Sequence, residues 1–174
     1  MKKILALCLF LCAFGLYAES AASKDAFGVG LDFALNANGA TDFGMSAGIT
    51  APWFFGNHFS FKSNGGIFFR KNADRKTYYQ VDFYFMGGSL MESANIRLYG
   101  GGGPIFVFPA SADEKKVLFG GGGFFGFEFY VAPEPTGFSY FIELGGSGFA
   151  TKKSFDINGF TAKTGFRYCI PVQK

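Results

Sequence analysis

The chain has 174 residues, of which 49% are hydrophobic, 20% aromatic and 17% charged, with 26 Phe and 26 Gly. That length suits about one domain, and the composition excludes a disordered or collagen-like chain. A soluble domain of this size has too little interior for so many rings, and 16 Lys+Arg against 13 Asp+Glu gives no charge argument for nucleic acid.

Met1-Lys2-Lys3 precedes an apolar run from Ile4 to Tyr17, followed by Ala18-Glu19-Ser20. A basic start, a short apolar stretch and a small residue at the cut form a secretory signal peptide. Cleavage is expected after Ala18, with Ala22 as the alternative, leaving residues 19–174 as the mature domain. The run is short for a transmembrane helix. Cys8 and Cys12 leave with the signal, and Leu11 before Cys12 does not suit a lipidation site. Cys169 then stands alone, so no intrachain disulfide is expected. Loss of Lys2 and Lys3 leaves 14 basic and 13 acidic side chains.

After the signal, bulky apolar residues alternate with small or polar ones. In 26–35 the odd positions are Phe27, Val29, Leu31, Phe33 and Leu35; the even ones are Ala26, Gly28, Gly30, Asp32 and Ala34. A period of two predicts β-strands. The pattern recurs over 41–50, 57–70, 76–86, 94–108, 117–130, 137–149 and 157–170, separated by turn-rich pieces such as Asn36-Ala37-Asn38-Gly39 and Lys71-Asn72-Ala73-Asp74. Whether strand five continues through Pro104 is open at this point, because proline cannot donate to the ladder. No other segment is continuously apolar over 18 residues, so membrane crossing rests on strands.

One face carries the apolar set throughout, for example Phe59, Phe61, Ile67 and Phe69 in the third segment. The opposite face carries glycines and the ions Asp32, Lys62, Arg70, Asp82, Arg97, Glu128, Glu143, Lys163 and Arg167, five positive and four negative. Eight dyad strands behind a secretory signal predict an all-β, eight-stranded, antiparallel up-and-down transmembrane barrel, apolar face outward, with a small and ionic lumen. A barrel of eight strands is just wide enough to be filled by side chains. The expectation is therefore an inward ion-pair network and no open channel, since unpaired buried charges are costly. The alternative is a soluble barrel with the apolar face inside. It would turn a surface of Gly28, Gly44, Ser46, Gly120 and Gly122 to water, too small and too sparsely charged for that role. With the N-terminus in the periplasm, Trp53, Phe54, Phe55, Phe129, Tyr130 and Tyr168 are expected at one rim and Tyr78, Tyr79 and Phe108 at the other, as two aromatic belts.

Gly100–Gly103 and Gly120–Gly123 are expected side by side, with Gly145-Gly146 and Gly159 continuing a seam. One reading is curvature relief in a narrow barrel. A second is a shallow groove at Gly102, Gly121 and Gly146 for an acyl chain or a partner barrel. In a third, the first glycine run is itself a turn. Gly121 to Gly126 matches G-x-G-x-x-G, but the strand-like Phe127-Glu128-Phe129-Tyr130 follows it where a nucleotide loop needs a helix. His58 is the sole histidine, which argues against a clustered zinc site. No cofactor is expected. His58-Phe59-Ser60 resembles the His-x-Ser of outer-membrane lipid A deacylases, without a clear acidic partner, since Asn72 and Asp74 fall in a loop. No catalytic set stands out.

The signal, the eight dyad segments and the closing Gly165-Phe166-Arg167-Tyr168-Cys169-Ile170 together resemble the small outer-membrane β-barrels of the OmpX/OmpW/opacity type. The resemblance implies residence in the bacterial outer membrane among its lipids. It also implies a terminal signature, Phe166, Tyr168 and Ile170, read by the barrel-assembly machinery, although Ile170 replaces the usual final aromatic. It implies adhesion, envelope integrity or passage of small apolar molecules, without assigning these to named residues or naming an extracellular partner.

Overall fold

The computed structural model describes residues 26–37, 41–55, 58–70, 77–110, 117–131, 137–150 and 159–172. The signal at Met1–Ala18 and the loop pieces 38–40, 71–76, 111–116, 132–136 and 151–158 lie outside the described residues.

Eight strands form the barrel: β1 (Ala26–Ala37), β2 (Thr41–Thr50), β3 (Phe59–Arg70), β4 (Thr77–Met91), β5 (Ile96–Pro109), β6 (Leu118–Tyr130), β7 (Gly137–Phe149) and β8 (Gly159–Pro171). Each pairs antiparallel with its sequence neighbour, and β1 also pairs with β8, from Ala26↔Pro171 to Ala37↔Phe160. Closure leaves no edge with unsatisfied backbone groups, which hydrocarbon would not tolerate. Among the described residues no helix is long and apolar enough to cross a membrane.

The polarity follows the alternation. Phe33 and Phe83 are 50% and 49% exposed on the outside, while Arg97 and Glu143 are 0% and 2% exposed within. The apolar face is the outer wall, so the soluble alternative with that face inside does not apply. A wall of exposed Phe, Leu, Ile and Met is one that lipid solvates and water does not. The lumen is not only glycine and ions: Phe68, Tyr78, Tyr84, Tyr99 and Phe141 are buried in it as well.

Two strand boundaries differ informatively from the sequence expectation. Strand β4 extends to Met91, because Gly87 and Gly88 pair with Gly100 and Tyr99 of β5 and do not end the ladder. Strand β5 continues through Pro104, which pairs with Gly121 of β6. On its other side, the β4–β5 ladder runs from Asp82↔Ile105 to Phe85↔Gly102 with no pairs between them. Proline's missing N–H thus interrupts one ladder only, the placement a strand tolerates. The connection from β4 to β5 is a single 3-10 turn, Glu92–Ala94, closed by Asn95 at φ 53°, a left-handed conformation that asparagine adopts readily.

The aromatic belts need correction. Phe54, Phe55, Phe129 and Tyr168 lie at the barrel end where β1 begins and β8 finishes (the terminal end), and Tyr79 and Phe108 lie outward at the far end. Trp53, Tyr130 and Tyr78 are instead buried in the interior. Tyr78 and Tyr130 share the inward parity of Asp82 and Glu128, where each hydroxyl finds a partner: Tyr78 Oη donates to Asp42 at 3.1 Å and Tyr130 Oη to Glu128 at 3.1 Å.

Candidate functional site

All nine ionic residues singled out in the sequence are buried. Eight-stranded closure points every second residue at a common axis, so charges from seven strands meet there. Asp42 joins them at 0% exposure, which gives five acids and five bases. Its parity on β2, shared with Gly44, Ser46 and Gly48, was the signal that could have found it.

Four pairs stack along the lumen. At the far end Arg70 Nη2 donates to Asp42 at 3.0 Å between neighbouring strands, with Tyr78 on the same carboxylate. At mid-depth Lys62 of β3 reaches Glu143 of β7 at 2.5 Å, and Lys163 of β8 reaches Asp82 of β4 at 3.0 Å. Strands four apart in a closed ring of eight face each other, so both bridges span the full width of the barrel. Near the terminal end Arg167 Nη1 donates to Glu128 at 2.7 Å. Neutral groups take up remaining lone pairs: Tyr99 Oη donates to Glu143 at 2.7 Å, Asn64 to Asp82 at 2.6 Å and Ser139 to Glu128 at 2.6 Å. Such added hydrogen bonds are what make a buried ion pair tolerable.

Arg97 stands beside the terminal-end pair. Its guanidinium lies 4.1 Å from the centroid of the Trp53 ring, and its Nε donates to Tyr130 Oη at 3.3 Å. Trp53 meets Tyr99 edge-on at 6.3 Å. The segment after β2 therefore folds its indole into the barrel mouth. Alternation says nothing about Trp53, since it lies outside a strand.

The glycine runs do meet: Gly102 pairs with Gly123, Gly103 with Gly122, Pro104 with Gly121, and Gly123 with Gly146. The first run is strand, not a turn. Its members divide by face. Gly103 faces inward, and a Cβ there would collide with the Phe83 carbonyl oxygen, so close strand approach requires glycine. Gly102, Gly121 and Gly146 face outward. A Cβ on Gly121 would find only the Gly103 carbonyl oxygen, at 3.6 Å. The outer seam is thus a shallow bare strip in a wall of rings.

His58 precedes β3 and is exposed, with Nδ1 donating to the Gly88 carbonyl at 3.2 Å. Ser60 is buried and donates to the Ala51 carbonyl at 2.7 Å. The two residues occupy different environments and form no nucleophile–base pair, while Asn72 and Asp74 lie outside the described residues. Cys169 is buried with its sulfur 3.9 Å from Ser139 Oγ. Gly121–Gly126 lies within β6, which continues to Tyr130, so no helix follows to cradle a phosphate.

No family model matches this sequence, and no curated protein matches it. Solved structures do resemble it. Neisserial surface protein A is 11% identical, with TM-score 0.60, over 88% of this chain and 100% of that one. The outer membrane protein OprG from Pseudomonas aeruginosa is 11% identical, with TM-score 0.53, over 88% and 99%. The N-terminal β-barrel domain of Pseudomonas aeruginosa OprF is 12% identical, with TM-score 0.52, over 82% and 97%. The fold is that of the small eight-stranded outer-membrane barrels. At such identities the likeness concerns architecture, and the lumen residues must speak for themselves.

Proposed function

We propose that this chain resides in the bacterial outer membrane, with its termini on the periplasmic side. It serves there as a structural or surface-interacting barrel with a sealed lumen and no catalytic step. The observation that carries this reading is the pair of transverse bridges, Lys62–Glu143 and Lys163–Asp82. They fill the cross-section at mid-depth with side chains that hold one another by charge. The Phe-rich outer wall supports lipid as the surrounding medium. Phe166, Tyr168 and Ile170 share the outer face of β8, the strand that closes the ring, which suits recognition of that strand by the barrel-assembly machinery.

Envelope fractionation with planar-bilayer recording tests this. The protein is expected in the outer-membrane fraction, with a heat-modifiable gel mobility and no steady single-channel current. Recovery in the soluble fraction, or a steady unitary conductance, overturns the reading.

A second reading has its own observation. A cavity in the far half of the lumen is lined by Tyr84, Ile105, Phe124 and Lys163, and by the backbone of Gly123 and Gly146. Rings and an ammonium offer a small apolar molecule with a polar end both kinds of contact, but the space as it stands holds about one water, so the side-chain-free wall at Gly123 and Gly146 would have to give way to admit it. Saturable quenching of the Trp53 emission or a ligand-induced rise in unfolding midpoint supports this reading, and an unchanged midpoint across a panel of small apolar compounds refutes it.

A further inference from the structure

Four of the five lumen carboxylates have a cation at 3.0 Å or closer. Asp32 differs. Its Oδ1 accepts a hydrogen bond from Ser46 Oγ, while its Oδ2 is buried without a hydrogen-bond partner among the described residues. The whole residue is 3% exposed, so bulk water does not reach that oxygen. A buried carboxylate oxygen left alone is expensive, and a lumen that provides partners for every other acid has some means of satisfying this one.

A small cavity faces Asp32, bordered by Lys62, Thr50, Asn64 and Arg167. Gly30 of β1 and Gly48 of β2 also line it, and the place of a Gly48 side chain is taken by Asn64 Oδ1. Lys62 has donors to spare. An ammonium has three N–H bonds; it donates to Glu143 Oε1 and also lies over the ring faces of Phe141 at 4.8 Å and Phe124 at 5.5 Å. A donor in surplus and an acceptor in deficit thus line one cavity, while Lys62 pairs with Glu143 and not with Asp32. The space suits about one water molecule.

We infer that this cavity is a binding site for a single water molecule that donates to Asp32 Oδ2 and accepts from Lys62 Nζ. The charges on the walls select the ligand class. A metal cation would sit against Lys62 and Arg167, and an anion against Asp32, whereas one small neutral molecule with both a donor and an acceptor satisfies both sides. The bridge ties β1 to the crossbeam already running from β3 to β7, and it gives the fifth acid its positive partner through solvent.

A crystal structure of the wild-type barrel at a resolution that orders lumen waters tests the site. The expected result is a peak within about 3 Å of both Asp32 Oδ2 and Lys62 Nζ, and its loss in Lys62→Met. Direct contact between Oδ2 and Lys62 or Arg167 overturns the inference. So does a cavity free of density while other lumen waters are ordered, or an anomalous signal marking an ion. Should Lys62→Met fail to fold, water-edited NMR of the wild-type protein in micelles replaces it. A long-lived water cross-peak to the Gly30 and Gly48 protons is expected, and no such peak is the refuting result.

Discussion

Removing Lys62 while keeping its shape, by Lys62→Met, leaves Glu143 charged at 2% exposure with the Tyr99 hydroxyl at 2.7 Å as its surviving close partner. Breaking a buried pair by deleting one member costs about 3–5 kcal/mol. Since Tyr99 continues to donate, the lower end of that range is expected, about 3 kcal/mol, or a hundredfold in the folding equilibrium. Replacing both members, Lys62→Met with Glu143→Leu, removes the orphaned charge. What then remains is a Tyr99 hydroxyl without its acceptor, at about 1–3 kcal/mol, and the Asp32 site without its Lys62 donor, a loss that Lys62→Met alone shares. The double variant should therefore be no less stable than Lys62→Met alone, with a coupling of at least about 2 kcal/mol between the sites. Urea titration of the refolded barrel in detergent, read by the folded and unfolded gel bands and by Trp53 emission, measures all four corners of the cycle. A Lys62→Met variant within about 1 kcal/mol of wild type, or a double variant whose loss equals the sum of the singles, would falsify the crossbeam argument.

On the outer wall, Phe83→Arg at mid-strand should lose about 2–4 kcal/mol of stability in lipid vesicles, and an unchanged midpoint would place that face away from hydrocarbon. Gly103→Ala is expected to be destabilised and Gly121→Ala to stay near wild type, because one Cβ collides with the Phe83 carbonyl and the other meets only ordinary contact at 3.6 Å; equal effects in urea titration would contradict the division of faces. Trp53→Ala removes the ring beneath the Arg97 guanidinium and should cost about 3–5 kcal/mol of stability in urea titration, as loss of a large buried aromatic does. His58→Ala should alter neither the unfolding midpoint nor the mass profile of the cell's lipid A, and a lost lipid product would restore the enzyme reading.

Much of the architecture was legible because a two-residue period, once one face is apolar, fixes which way each side chain points. Phe33 and Phe83 went outside and Glu143 inside on parity alone, and the glycine runs met because short connections set the register. Gly87 and Gly88 misled, since glycine reads as punctuation until a partner strand such as Gly100–Tyr99 takes up its backbone. Tyr78, Tyr130 and Trp53 were grouped with their aromatic neighbours. For the two tyrosines parity pointed inward, and for Trp53, outside any strand, parity was silent. Partner choice among the charges was not legible at all. Lys62 and Glu143 are 81 residues apart, and only the width of the closed ring decides that they touch.

The join between β1 and β8 has a consequence for how the molecule is made. Ala26 opens the first strand and Pro171 ends the last, and they are partners. Every other seam can zip locally as the chain arrives, but this one waits for the last strand, so it carries the largest loop-closure penalty in the molecule. A chain cut short before Gly159 would hold seven strands and two naked margins, each a template for a neighbouring polypeptide. Completion of the ring is thus a checkpoint that the C-terminal strand alone can satisfy.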